Sequence, residues 1–202
     1  MLLYKFYATM DGAGTGFAGK PASRIRAITY QGGNAVMSAP NVQKLCESTR
    51  EKLKTAIVRI EAFLNEYSLP QLAESQEEEE VAYYKGFLSD LRYLLVFSES
   101  SSEKIGVLLR RANFDVNSAE DTLYKVYHNV VNSFFYPKNE SYAEDGRYAY
   151  TGQEAIRFRR SIHAAAREVV LDVTKTYEEL RDDLDYYESD YLSQRRMSAP
   201  RS

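Results

Sequence analysis

The chain of 202 residues carries a formal net charge of −3, which suits one globular domain with or without a tail. Its 44% hydrophobic and 27% charged residues are ordinary for a soluble protein, and the slight acidic excess argues against nucleic-acid or membrane-surface binding. No apolar run reaches the roughly 18 residues of a membrane-spanning helix. Cys46 is the only cysteine, which excludes an intramolecular disulfide and predicts a reducing, cytoplasmic location.

The segment 1–36 differs in character from the rest of the chain. It holds most of the glycines, lacks a helical apolar period and carries four cations against one acid, and we predict a disordered leader. A glycine-rich run ending at Lys20 nearly matches a phosphate-binding loop, but Pro21 stands where the Ser/Thr magnesium ligand belongs. Residues 31–33 (Gln-Gly-Gly) can be encoded as a ribosome-binding sequence shortly before the Met37 codon. We therefore hypothesise that Met37 is the natural start.

The rest of the chain is predicted to form a single helical domain over 37–194. Apolar residues recur at spacings of three and four, which is typical of amphipathic helices. The polar run Ser98–Ser102 predicts a break, followed by a capping box that starts a short helix. Cys46 lies on an apolar face and is predicted to be a core residue, and the tail 195–202 is predicted to be disordered. The predicted helices cover about 41–67, 71–97, 103–109, 118–136 and 161–194.

An irregular, aromatic-rich insertion at about 136–152 separates the last long helix from the helix before it. Pro137 ends the preceding helix, and the stretch 134–158 lacks a helical pattern. We expect a short extended piece at 148–151, followed by a short helix that points Ile156 inward. The fold class is therefore all-α: a bundle of about five helices with this insertion before the last long one.

Charged residues cluster within the insertion. Glu144 and Asp145 are adjacent carboxylates, which point apart in an extended chain and make a poor acid/base dyad. A turn at Gly146, with Glu144 or Asp145 paired to Arg147, is the preferred interpretation. The alternative is a corner in which Arg147 and Lys138 bind an anion between tyrosine walls.

His128 allows two interpretations. It is either a histidine at the edge of the core, bonded to a nearby oxygen, or a site residue that faces the insertion. With two histidines and one cysteine, a Cys/His zinc site is out of reach, and no Glu-x-x-His pair of a di-iron bundle occurs. We expect no cofactor, although a metal site made of carboxylates alone stays open.

Two hypotheses of function follow. The first is a non-catalytic interaction or scaffolding protein whose tyrosine-rich insertion contacts a protein partner or a second copy in a homodimer. The second is a protein that binds an anionic small molecule or phosphate, and is conceivably an enzyme. An enclosed concavity shared by His128 and Arg147 favours the second, and polar groups that satisfy one another favour the first. The candidate binding residues of the second are His128, Lys138, Glu144, Asp145, Arg147 and Tyr150.

Several motifs resemble a known family. Phe134-Phe135-x-Pro137-Lys138, Glu144-Asp145-x-Arg147 and Ala149-Tyr150-Thr151-Gly152 carry the resemblance, together with Tyr127-His128 in the preceding helix. They are similar to the YpuI-like proteins of Bacillota, a family of unknown function, and the likeness covers about residues 41–191. The resemblance implies a small cytoplasmic bacterial protein and supplies no activity, substrate or catalytic residue.

Overall fold

The computed structural model of the chain describes residues 38–75, 77–148 and 154–198. The predictions for the leader, for the Met37 start and for Tyr150 lie outside these residues. Within them the all-α prediction is confirmed. The helices are α1 (Ala39–Glu66), α2 (Leu69–Leu72), α3 (Glu78–Leu109), α4 (Val116–Val126), α5 (Asn132–Phe135), α6 (Ala164–Asp183) and α7 (Asp190–Ser198), with a π-helical turn at Tyr127–Val131 and a 3-10 turn at Asp185–Tyr187.

The two longest helices, α1 and α3, pack antiparallel. At one end Phe63 of α1 meets Phe87 of α3 edge to face, with ring centroids 6.1 Å apart. At the other end Arg50 Nε donates a hydrogen bond to Ser102 O at 3.3 Å. α4 and α6 also pack against α1, so the apolar faces predicted from the sequence meet in one core. Among the described residues, no helix is both long enough and apolar enough to cross a bilayer.

The polar run Ser98–Ser102 does not interrupt α3, so the predicted break and the predicted capping box are wrong. Ser98 is fully buried, and its hydroxyl lies 3.3 Å from the hydroxyl of Tyr177 on α6. Serine favours helix ends because its side chain can bond to nearby backbone. Here its small size lets neighbouring helices approach, and tertiary packing overrides the local preference.

The helix predicted over 161–194 is divided into α6, the 3-10 turn and α7. α6 begins one residue after His163, whose Nδ1 accepts a hydrogen bond from Ala165 N at 3.2 Å and so caps the helix. α7 continues into the tail that was predicted to be disordered. Arg195 on this helix forms an ion pair with Asp121 of α4, which attaches the end of the described chain to the bundle.

The insertion contains a two-stranded antiparallel sheet, formed by β1 (Tyr142–Glu144) and β2 (Ile156–Phe158), in which Tyr142 lies opposite Phe158. The predicted short helix around Ile156 is wrong, although Ile156 does point inward. Each strand buries its first residue and exposes its second, which is the two-residue period of a strand. Tyr148, where an extended piece was predicted, lies in a turn.

Cys46 is fully buried in the core, as its place on the apolar face predicted. Burial raises the pKa of its thiol to about 12, so little reactive thiolate exists near neutral pH. We expect Ellman's reagent to react with the folded protein far more slowly than with the protein unfolded in urea, measured by the absorbance of the released thiolate. An equal rate in both conditions would show that Cys46 is accessible.

Candidate functional site

Arg181 anchors the insertion to α6. Its guanidinium donates hydrogen bonds to both carboxylate oxygens of Glu144, at 2.7 and 3.1 Å. It also lies over the ring of Phe135, 4.0 Å from the centroid. The side chain of Glu144 is only 11% exposed and that of Arg181 30%. A bidentate pair in this partly buried position fixes β1 against α6 and leaves the Glu144 carboxylate occupied.

Asp145 and Arg147 close the turn that follows β1. Arg147 donates to the Asp145 carboxylate from its backbone N at 3.1 Å, from Nε at 3.0 Å and from Nη2 at 2.7 Å. These hydrogen bonds lower the pKa of Asp145 to about 2. The geometry agrees with the predicted turn at Gly146, and Asp145 rather than Glu144 is the carboxylate that pairs with Arg147.

We expect the pKa of Asp145 to depend on Arg147. Because the pKa is lower in the folded than in the unfolded chain, the pairing stabilises the fold above about pH 4, and this contribution is lost as the pH falls toward 2. In Arg147→Ala, the carboxyl ¹³C titration of Asp145 should move up toward about 3.9. Arg159→Ala, which removes the ion pair with Glu140, is the control. An unchanged Asp145 midpoint in Arg147→Ala would contradict the pairing.

His128 lies in the π-helical turn and faces the C-terminal part of the chain. Its Nε2 is 3.1 Å from the backbone oxygen of Tyr187, and its Nδ1 is 3.5 Å from Asn132 Nδ2. Its ring also packs against that of Tyr124, with centroids 4.3 Å apart. These contacts match the interpretation of a histidine at the edge of the core that is bonded to a nearby oxygen.

Lys138 lies in an exposed turn between α5 and β1. The next residue, Asn139, holds this turn on α3: its Nδ2 donates to Asp90 Oδ1 at 2.8 Å and to Gly86 O at 3.3 Å. A side chain at Gly86 would collide with Asn139, since a Cβ there would lie 2.9 Å from the Asn139 Cβ. The turn therefore presents the Lys138 ammonium to solvent.

Two surface grooves flank this turn and share Tyr136 and Lys138. We name the first, of about 630 Å³, the basic groove. We name the second, of about 380 Å³, the Tyr93 groove. The basic groove is lined by Phe135, Tyr136, Pro137, Lys138, Glu140, Tyr142, Ala143, Arg157, Phe158 and Arg159. The Tyr93 groove is lined by Ser89, Asp90, Tyr93, Ser133, Tyr136, Lys138 and Asn139.

The structure does not bring the candidate residues into one concavity. Of the five that it describes, Lys138 lines both grooves, whereas His128 and Arg147 line neither. Glu144 and Asp145 are each bound to an arginine within the fold. No cluster of three or more histidine, cysteine, aspartate or glutamate side chains suited to a metal ion occurs in 38–75, 77–148 or 154–198.

Two residues that are important for the insertion were not identified from the sequence: Arg181 on α6 and Tyr136 at the grooves. Arg181 is separated from Glu144 by 37 positions, and no local pattern links them. Tyr136 is 75% exposed at the rim of both grooves. The sequence did contain a signal for Tyr136. This residue follows two phenylalanines that are buried in the core and directly precedes Pro137, which ends the helix. The helix therefore ends at Phe135, and the ring of Tyr136 points out of the core.

Comparison with known proteins identifies the family. The profile described as "Protein of unknown function (DUF3907)" matches residues 46–193. "Uncharacterized protein YpuI" of Bacillus subtilis (strain 168) is 32% identical over 148 residues, which is 73% of this chain and 82% of that protein. No solved structure matches the chain significantly. The resemblance to YpuI-like proteins is thereby confirmed, and the chain belongs to the DUF3907 family of proteins of unknown function.

Proposed function

We propose that the chain is a non-catalytic protein-interaction module whose basic groove binds an acidic segment of a partner protein. The proposal rests on one contrast within the insertion: its carboxylates are paired inside the fold, whereas the cations along the basic groove are exposed to solvent. The carboxylates of Glu144 and Asp145 are bound to arginines within the fold. The groove beside them is open to solvent, lined by aromatic rings and edged by exposed cations.

The groove walls have the chemistry of a protein interface. Phe135 and Tyr142 are almost fully buried and form a rigid apolar floor, while Tyr136 stands exposed at the rim. Tyrosine and arginine are enriched where proteins bind one another, because they combine a large apolar area with polar tips. An open groove of this size accommodates a few side chains of an extended segment.

The charges of the groove select an acidic occupant. Its lining contains three cations, Lys138, Arg157 and Arg159, and one carboxylate, Glu140, which is paired with Arg159 at 2.6 Å. Arg157 donates to the backbone oxygens of Glu154 and Ile156 and lies over the ring of Tyr148, 4.6 Å from its centroid. It forms no ion pair with a carboxylate of the described residues. Opposite charge in the partner would raise its association rate and fix its register.

Two features support a bacterial, cytoplasmic setting for this interaction. The one cysteine is free and buried, as suits a reducing compartment. The similar protein from Bacillus subtilis places a relative among the Bacillota.

The test is selection from a random 12-residue peptide library displayed on phage, against the full chain. We expect enriched peptides to be net acidic and to contain an aromatic residue. Lys138→Glu and Tyr136→Ser should each weaken their binding about tenfold in fluorescence anisotropy, an effect of about 1.4 kcal/mol. Both positions are exposed, so the melting temperature should stay close to that of the wild type.

Val58→Ser is the matched control, because Val58 is an exposed apolar residue of α1 that lines neither groove. It should bind the selected peptides as the wild type does. Selected peptides without acidic character, or equal binding to the Lys138→Glu variant, would overturn the proposal. Selection of no peptide, together with binding of inorganic phosphate that Lys138→Glu abolishes, would favour the anionic small-molecule hypothesis instead.

A further inference from the structure

The outward face of α3 carries an uncharged stripe, which we call the α3 stripe: Ser89, Tyr93, Val96, Ser100 and Val107. These positions follow the helical spacing of three, four and seven, so they lie along one face for five turns. All are exposed; Tyr93, Val96 and Val107 have 48%, 58% and 46% of their surface in contact with solvent. Three of these five exposed side chains are apolar, and exposed apolar side chains that share one helix face can form a partner surface.

Charged residues flank the stripe in a self-complementary order. Arg92 and Glu103 lie on one flank, three helical turns apart, and both are exposed. On the other flank Lys104 is exposed near the end of the stripe, whereas Asp90 is half-buried and accepts hydrogen bonds from Asn139 N and Nδ2. None of Arg92, Glu103 and Lys104 forms an ion pair within the described part of the chain. The flank of Arg92 and Glu103 thus has an unpaired cation in its first half and an unpaired carboxylate in its second half.

We propose that a second copy of the chain packs its α3 antiparallel on this stripe, about a two-fold axis at the level of Val96 to Ser100. In an antiparallel helix pair, equivalent flanks meet with their directions reversed. Arg92 then faces Glu103 of the second copy. Two-fold symmetry makes this pair occur twice, so the charges on this flank of α3 complement themselves.

The apolar contacts agree with the same register. Val96 meets Ser100 of the second copy, whose small side chain allows the helices to approach. Ser89 and Tyr93 line the Tyr93 groove, and the register places Val107 of the second copy over it. This surface shares the rim residues Tyr136 and Lys138 with the basic groove but not that groove's walls and floor. The variants that test the dimer leave both shared residues unchanged, so the dimer is tested separately from peptide binding.

The test is sedimentation velocity of the full chain over a range of micromolar concentrations. We expect a dimer that dissociates on dilution. Val96→Lys, which places a charge at the centre of the stripe, should be monomeric at every concentration. Because Val96 is largely exposed, this variant should keep its melting temperature. Met197→Lys alters a similarly exposed apolar residue on α7 and should leave the dimer intact.

Charge reversal tests the register itself. Arg92→Glu or Glu103→Arg alone places like charges opposite each other twice and should weaken the dimer by about tenfold or more. The double variant Arg92→Glu/Glu103→Arg restores opposite charges and should recover most of the wild-type affinity. A wild-type chain that is monomeric throughout overturns the inference, as does a dimer that Val96→Lys leaves intact. A double variant no tighter than the single variants overturns the antiparallel register.

Discussion

Replacing Tyr177 with alanine is expected to lower the free energy of unfolding by about 3–5 kcal/mol. Tyr177 is fully buried on α6, and its ring stacks on Phe134 with centroids 4.4 Å apart. Its hydroxyl reaches Ser98 of α3. The substitution removes a ring that joins three elements and leaves a cavity that these helices cannot fill without moving. Urea unfolding followed by far-ultraviolet circular dichroism measures the loss.

Two variants separate the ring from the hydroxyl and from surface effects. Tyr177→Phe keeps the ring and removes only the contact with Ser98, so about 1 kcal/mol is expected. Tyr136→Ala removes an exposed tyrosine and should change stability by about 0.5 kcal/mol or less. A loss of less than about 1 kcal/mol in Tyr177→Ala would contradict its place in the core.

Arg181→Ala is expected to cost about 2 kcal/mol. The value lies between those of exposed and fully buried ion pairs, because Glu144 is nearly buried while Arg181 is partly exposed. The substitution also removes the guanidinium from the ring of Phe135. The substitution leaves the poorly hydrated carboxylate of Glu144, on β1, without its ion-pair partner. We expect the insertion to loosen from α6 while the helices of the bundle stay formed.

A double-mutant cycle with Glu144→Ala isolates the interaction between the two side chains. We expect a coupling energy of about 1–2 kcal/mol. The pair of Arg167 and Glu154 is the internal comparison: it has similar hydrogen-bond lengths but is more exposed, so its coupling should be about 0.5 kcal/mol. Equal coupling in the two pairs would mean that Arg181 does not anchor the insertion.

The helical faces could be predicted from the sequence because amphipathic periodicity is a local property of the chain. The errors occurred where distant contacts override local preference. The serines of the run Ser98–Ser102 favour a helix end by themselves, but Ser98 and Ser102 are buried in the core and Ser98 contacts Tyr177, so α3 continues through them. Ile156 was correctly predicted to point inward, but three residues carry too little pattern to distinguish a strand from a helical turn.

The contacts of the candidate site residues likewise include local ones, which the sequence could predict, and distant ones, which it could not. The pairing of Asp145 with Arg147 spans two positions and follows from the turn at Gly146, so the sequence could predict it. The partner of Glu144 and the partner of His128 come from the C-terminal part of the chain, 37 and 59 positions away. Only the folded chain brings these groups together. Of the five candidate residues that the structure describes, Lys138 is the one that faces solvent at a groove.

Hydrogen–deuterium exchange across 141–148 and 154–159 tests most directly the claim that the insertion is an ordered cap on the bundle. The backbone N of Asp145 donates to Ala155 O at 2.8 Å, and that of Arg159 donates to Ser141 O at 3.3 Å. We expect these two amides to exchange much more slowly than in an unstructured peptide, and Arg181→Ala to accelerate their exchange. Exchange of both amides at the unstructured rate in the wild-type protein would contradict this claim.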